Sequence, residues 1–128
     1  MVVDSDVLID ALRGRRLAQD RVALELERGD LATTSVNSFE LLSGARNQPS
    51  LSKVERLLAP MRIVPFDDKA ARVAGEIRRG LEAKGLGIGM ADYLIAGVCL
   101  SRNAVLITNN QAHFERVPGL KLSLQGSR

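Results

Sequence analysis

The stretch Ile88–Asn110, IGMADYLIAGVCLSRNAVLITNN, holds two elements back to back. Residues 90–100 are apolar nearly all round over a helical length, so they read as a helix buried on every side. Residues 104–108 are a short aliphatic run of strand length and read as a buried strand. A buried helix feeding a buried strand is the repeating half of a parallel α/β layer fold. One charge, Asp92, interrupts the helix. Burying an unpaired carboxylate costs several kcal/mol, so Asp92 must be paired, protonated or bound to a cation. Its place in the first turn earns a favourable interaction with the helix dipole of only ~0.3–1 kcal/mol, which offsets part of that cost.

The rest of the chain repeats the pattern. Residues 1–3 read as a strand ending on Asp4, followed by a helix that Ser5 or Asp6 caps and Gly14 stops. Of the two aspartates, Asp6 has the better claim to be a cap. A second helix is expected over about 17–28, a strand over 30–34, and a helix capped by Ser35 that carries Phe39, Leu41, Leu42 and Ala45. Pro49 is expected to break that helix, with a short one following over 51–58. A third strand over 62–65 leads to a long helix opened by Asp67 or Asp68, with Ala71, Ala74, Ile77 and Leu81 at helical spacing and Gly85 as its stop. Residues 120–124 are a candidate fifth strand. The alternation predicts an α/β fold with a mainly parallel central sheet, in which ligands bind outside the carboxyl ends of the strands.

At 128 residues the chain has the size of one domain, 1–128, and buries a core without disulfides or a structural metal. One Tyr, three Phe and no Trp leave little for aromatic platforms that stack single-stranded bases. Cys99, the lone cysteine, lies in an apolar run and reads as a small buried hydrophobe. No segment reads as a signal peptide, because Asp4 and Asp6 interrupt the N-terminal apolar run, and the longest apolar stretch is too short to span a bilayer. A soluble, cytoplasmic protein is expected. The net charge of +3 tolerates a polyanionic partner without diagnosing one. Arg13, Arg15 and Arg16 follow the first motif and Arg72, Arg78, Arg79 and Lys84 share one helix. Each run is first of all a solvated helix face.

The acidic residues fall where the layer fold puts its ligands. Asp4 follows a strand, and alone it would be a turn or cap residue. Glu40 sits on the helix after the second strand with small or polar neighbours (Val36, Asn37, Ser43, Gly44), and alone it would be an exposed glutamate. Thr108, Asn109 and Asn110 end another strand; they are good turn formers that also carry a hydroxyl and amide oxygens. Together with Asp92, these positions are expected to converge on one sheet edge. Gathered carboxylates cannot all stay ionised without cations, and oxygen donors without spare His or Cys select Mg²⁺ or Mn²⁺ over zinc. His113, the one histidine, is expected to be an ordinary surface residue. A basic chain with such a pocket suits phosphodiester hydrolysis.

The segments VVDSDVLIDAL, TTSVNSFELLSGA, IGMADYLIAGVCL and VLITNNQAHFERVPGL, in that order, resemble the PIN-domain toxins of the VapC type, and the resemblance covers essentially the whole chain. It implies a three-layer α/β/α sandwich, a Mg²⁺- or Mn²⁺-dependent endoribonuclease working by a metal-activated water, a homodimer, and a small cognate antitoxin. Position by position it implies metal ligands at Asp4, Glu40 and Asp92 and a fourth polar site at Asn110, with Thr108 and Asp6 in support. Asn110 departs from the pattern, having a neutral oxygen in place of a common Asp, and leaves one-metal and two-metal chemistry both open. Early helices, including Leu12, Leu17 and Val22, are candidates to line the antitoxin groove, although ordinary core positions explain these residues better.

Three other readings compete. A receiver-type signalling domain needs an acceptor aspartate after the middle strand and a lysine after a late one, where this chain has Val64–Pro65 and Asn109. An aspartate-nucleophile phosphatase needs Thr or Val where Leu8 stands. A PIN-like module that only binds RNA or protein is conceivable from Asn110, and the intact Asp4, Glu40 and Asp92 argue against it.

Overall fold

A computed structural model describes residues 1–124. In chain order its elements are β1 (Val2–Val3), α1 (Ser5–Leu12), α2 (Arg16–Glu27), β2 (Ala32–Thr34), α3 (Ser35–Gly44), α4 (Gln48–Leu58), β3 (Arg62–Val64), α5 (Asp68–Ala83), α6 (Met90–Ser101), β4 (Val105–Thr108), α7 (Gln111–Phe114) and β5 (Lys121–Leu124). The described strands form one sheet in the order β3-β2-β1-β4-β5, every pair parallel. The mainly parallel α/β fold expected from the alternation is present.

Side chains alternate across the sheet and build two cores, one on each face. Val2 and Leu106 point to the face covered by α5 and α6, with Ile77, Leu81, Ile95 and Phe114 around them. Val3 and Ile107, one residue along each strand, point to the opposite face against α1, α2 and α4, with Leu8, Val22 and Val54. This period of two is what makes both strands wholly apolar and the architecture a three-layer sandwich. Gly97 sets how closely α5 and α6 approach: a Cβ there would lie 2.6 Å from the Ala70 carbonyl oxygen and 2.7 Å from the Ala74 Cβ. Cys99 is fully buried beside it, and burial pushes its thiol up to about 12. Among the described residues, no helix is long and apolar enough to cross a membrane.

Local expectations fail in instructive places. Asp4, not Ser5 or Asp6, is the N-cap of α1, its side chain accepting from the Ser5 N–H, while Asp6 lies in the first turn. Thr34, not Ser35, caps α3 through a capping box with Asn37, and the Ser35 hydroxyl instead accepts from the Phe66 N–H. Pro49 does not separate two helices by breaking one. It sits in the first turn of α4 behind the cap Asn47, where a missing N–H costs nothing. On α5 the buried position is Ala70 and Ala71 is exposed.

Candidate metal site at the switch point of the sheet

The chain adds strands on one side of β1 up to β3 and then crosses to its other side at β4. The carboxyl ends of β1 and β4 therefore lie side by side at the point where the winding reverses, the place where such sheets open a crevice. Asp4 leaves β1 with its N–H on the Ile107 carbonyl, and Thr108 ends β4. Thr108 is fully buried and donates its hydroxyl to Asp4 Oδ2 at 2.8 Å. The other carboxylate oxygen, Oδ1, accepts from the Ser5 N–H at 2.8 Å and from Asn37 Nδ2 at 3.0 Å.

Asn37 is wholly buried and fully used. Its Nδ2 donates also to Ser5 Oγ at 2.8 Å, and its Oδ1 accepts from the Thr34 hydroxyl and N–H. Ser5 Oγ in turn donates to Glu40 Oε1 at 2.8 Å. On the other side, the Asn110 N–H donates to Thr108 Oγ1 at 2.9 Å, the Asn110 amide meets His113 Nδ1 at 3.1 Å, and His113 Nδ1 lies 2.8 Å from Asp92 Oδ2. One continuous arc thus runs Glu40, Ser5, Asn37, Asp4, Thr108, Asn110, His113, Asp92. It draws on α1, α3, β4, α6 and α7, so the residues singled out in the sequence do share one edge.

Electrostatics explain why this edge is unusual. The Asp4 carboxyl is pushed up to about 7, first by burial and then by the neighbouring charge of Asp6, with Asp92 adding to it; the bonds from Thr108 and Ser5 pull the other way. Asp6 is raised too, chiefly by burial, against the N–H of Asn109 that holds its Oδ2 at 3.1 Å. Its Oδ1 is buried with no hydrogen-bond partner among the described residues. Asn109 continues outward to Asp10 Oδ2 at 3.1 Å.

A divalent cation fits these residues. Among the described residues, burial raises both Asp4 and Asp6, the Asp6 charge raises Asp4 further, and the buried Asp6 Oδ1 has no hydrogen-bond partner. The carboxylates do not close into a finished cage: among the described residues no three His, Cys, Asp or Glu side chains meet at one point. That openness suits Mg²⁺, which keeps several waters and takes one or two carboxylates.

Ser5, Asn37 and His113, expected as a cap, a polar neighbour of Glu40 and a surface residue, are all part of the site. Thr34-x-x-Asn37 was the available signal for Asn37, a capping pattern at a strand end. His113 is not an ordinary surface residue: α7 brings it back onto Asp92, and the neighbouring Phe114, fully buried, pins the turn. Among the cations, Arg13 shares a groove with Glu40, whereas Arg15, Arg16, Arg72 and Arg78 are engaged in ion pairs with Asp10, Asp20, Asp68 and Glu82. The groove, about 440 Å³, runs between α1, α3 and α4 and includes Leu12, Leu41 and Val54. Leu17 is exposed and Val22 is core, so neither lines it.

Comparison with known proteins agrees with this frame. The model of the PIN domain matches residues 1–120. The chain is 31% identical over 124 residues to the tRNA(fMet)-specific endonuclease VapC of Shigella flexneri, covering 94% of this chain and 93% of that one. It is 38% identical over 121 residues to the ribonuclease VapC10 of Mycobacterium tuberculosis, covering 94% and 90%. Among solved structures, VapBC2 from Rickettsia felis, bound to a DNA fragment from its promoter, superimposes with a TM-score of 0.89 at 30% identity over 96% of each chain. The DNA-bound VapBC of Salmonella typhimurium gives 0.86 at 29% identity, over 97% and 96%.

Proposed function

The chain belongs to the PIN-domain family, and from that premise we propose that it is a Mg²⁺- or Mn²⁺-dependent endoribonuclease, the toxin of a toxin–antitoxin pair, whose chemistry is carried by Asp4, Asp92 and Glu40. It is a ribonuclease of the VapC type, as its relatives are. On this reading residues 1–128 act as one domain, in the cytoplasm where the RNA is. The observation that carries the site assignment is Asp4: a carboxylate buried at the switch point, oriented by three donors and pushed up to about 7 by burial and its acidic neighbours.

Asp4 and Asp92 would hold the cation, which supplies a water of lowered pKa and neutralises charge on the phosphoryl oxygens. Thr108 and Asn37 lock Asp4, so the site is organised before substrate arrives. Glu40, fixed by the Ser5 hydroxyl, orients water for in-line attack on phosphorus. Asn110 offers a neutral amide at the position where charge would strengthen a second cation, which favours one tightly held metal. Arg13, beside Glu40, contributes affinity for the RNA backbone and no sequence information. Total RNA incubated with purified protein and Mg²⁺ or Mn²⁺ should be cleaved. The cleavage should stop in chelator and fall on the order of 10³-fold in Asp92→Asn purified identically, the scale of losing one preorganised charge-stabilising group. Equal cutting by both proteins would remove Asp92 from the site, and none by either would favour a binding-only module.

The partners follow from two surfaces. The apolar groove between α1, α3 and α4, with Glu40 on its wall, is assigned to a segment of the antitoxin. Phe39 on α3 and Met90 on α6, 68% and 54% exposed, flank a shallow apolar cavity of about 460 Å³ assigned to a second copy of the chain. Analytical ultracentrifugation should give a dimer for the wild type and a monomer for Phe39→Asp. A wild type that sediments as a monomer at micromolar concentration would remove the homodimer.

A further inference from the structure

We infer that His113 is a positioning residue for the metal site: its Nδ1–H fixes the Asp92 carboxylate in the orientation that receives the cation. The inference rests on the proposed metal-dependent reading and extends it to a residue outside the acidic set.

The geometry is specific. His113 Nδ1 and Asp92 Oδ2 are 2.8 Å apart across a sequence separation of 21 residues. The Asp92 side chain is 18% exposed and that of His113 is 41% exposed. α6 presents Asp92 from its first turn with no side-chain cap to steady it. Gly89 leaves the space over Oδ2 open, so the carboxylate is free to rotate unless another group holds it. Among the described residues His113 is that group, and the buried Phe114 fixes where it stands.

An ionised carboxylate only accepts hydrogen bonds, so the Nδ1 that faces it carries a proton. The Asn110 amide, whose Nδ2 lies 3.1 Å from the same nitrogen, then competes for it. Two N–H donors cannot share one contact, so positioning by a protonated Nδ1 requires the Asn110 amide oxygen, in place of the Nδ2 that lies nearest, to face the ring. His113 thereby stands between Asp92 and the neutral Asn110 and contacts both. One Asp92 oxygen is engaged by the ring and the other is left to the metal. Metal-binding carboxylates are generally held by such outer partners, whose loss costs roughly 10–100-fold in metal affinity or activity.

The test is Mn²⁺ binding to the full chain, followed by calorimetry and by the electron paramagnetic resonance signal of free Mn²⁺. Wild type, Asp92→Asn, His113→Ala, His113→Asn and the double variant Asp92→Asn/His113→Ala are compared. We expect His113→Ala to weaken Mn²⁺ binding roughly 10–100-fold, with kcat for RNA lowered and KM little changed. His113→Asn should recover most of that loss, because its Nδ2 can stand where Nδ1 does. The double variant should bind no more weakly than Asp92→Asn alone, since His113 acts through Asp92. If the wild type binds, Asp92→Asn does not, and His113→Ala binds like the wild type, His113 has no positioning role and the metal site stands. Additive losses in the double variant, or no recovery in His113→Asn, would also overturn the inference. A wild type that binds no Mn²⁺ overturns both. Unfolding temperatures in chelator separate these losses from misfolding, and His113, being partly exposed, tolerates replacement.

Discussion

Asp4→Asn is expected to raise the unfolding temperature of the metal-free protein at pH 8 while lowering RNA cleavage on the order of 10³-fold, the scale of removing one preorganised charge-stabilising group. The two effects have one cause. Burial, Asp6 and Asp92 push the Asp4 carboxyl from 3.8 up to about 7, so the folded chain holds a proton that the unfolded chain has already released. The stability this contributes is complete below about pH 4 and is lost as pH rises through about 7. At pH 8 without metal, the wild type therefore carries a buried charge worth on the order of a few kcal/mol of destabilisation, by the 1.36 kcal/mol of each pKa unit.

Asparagine removes that charge and keeps the frame. Its Oδ1 still accepts from Ser5 and Asn37, while its Nδ2 donates to Thr108 Oγ1, whose hydroxyl turns toward Asp6 Oδ2 at 3.4 Å. At about pH 4 the two proteins should melt close together, and the gap should open steadily between about pH 4 and pH 7 and then level off. Mg²⁺ should close it from the other side, stabilising the wild type more at pH 8 than at pH 5.5 and Asp4→Asn at neither. A pH-independent gap, or equal stabilisation of both proteins by Mg²⁺, would show that Asp4 neither titrates there nor binds the ion.

How much of this was legible depended on local contrast. Asp92 stood out because it is the one charge in an apolar helix, and burial arithmetic alone marked it. Asp4 was legible only as the end of a strand. Asp4, Ser5 and Asp6 are all good capping residues in a row, and the choice among them is made by where the β1–β4 register places the Ile107 carbonyl. Asn37 was hidden because the usual capping box closes with Glu or Gln, and nothing in the sequence shows its amide turning inward to Asp4. His113 was hidden for another reason: α7 has four residues, too short for any periodicity, and its position depends on Phe114 finding the core. Ala70 and Ala71 are adjacent and alike, and Gly97 decides which of them faces α6. The fold thus follows from periodicity and the site from contacts between segments far apart in the chain.

Arg21→Ala is expected to cost about 3–5 kcal/mol, the range for stripping one partner from a buried ion pair. Arg21 and Glu25, one turn apart on α2, are each 4% exposed and joined at 3.0 Å. The remaining guanidinium nitrogens reach β5, donating to the Leu124 carbonyl and to Ser123 Oγ, both at 2.8 Å. Among the described residues, alanine leaves the buried Glu25 with the edge of Arg28 at 3.4 Å as its remaining cation, and it releases the strand that pairs Leu124 with Thr108. Since such a domain has roughly 5–15 kcal/mol in total, urea unfolding should show a large share of its stability gone. Amide exchange should show β5 opening ahead of β1. Replacing both charges, Arg21→Met with Glu25→Leu, should recover most of the loss, because apolar substitutes for a buried pair are often neutral or better. The exposed Leu124 carbonyl can then turn to water. If the single variant costs under about 1 kcal/mol, well below that buried-pair range, the pair is not what fastens β5 to α2. If the double variant is as unstable as the single one, the lost bonds to β5 outweigh the stranded charge.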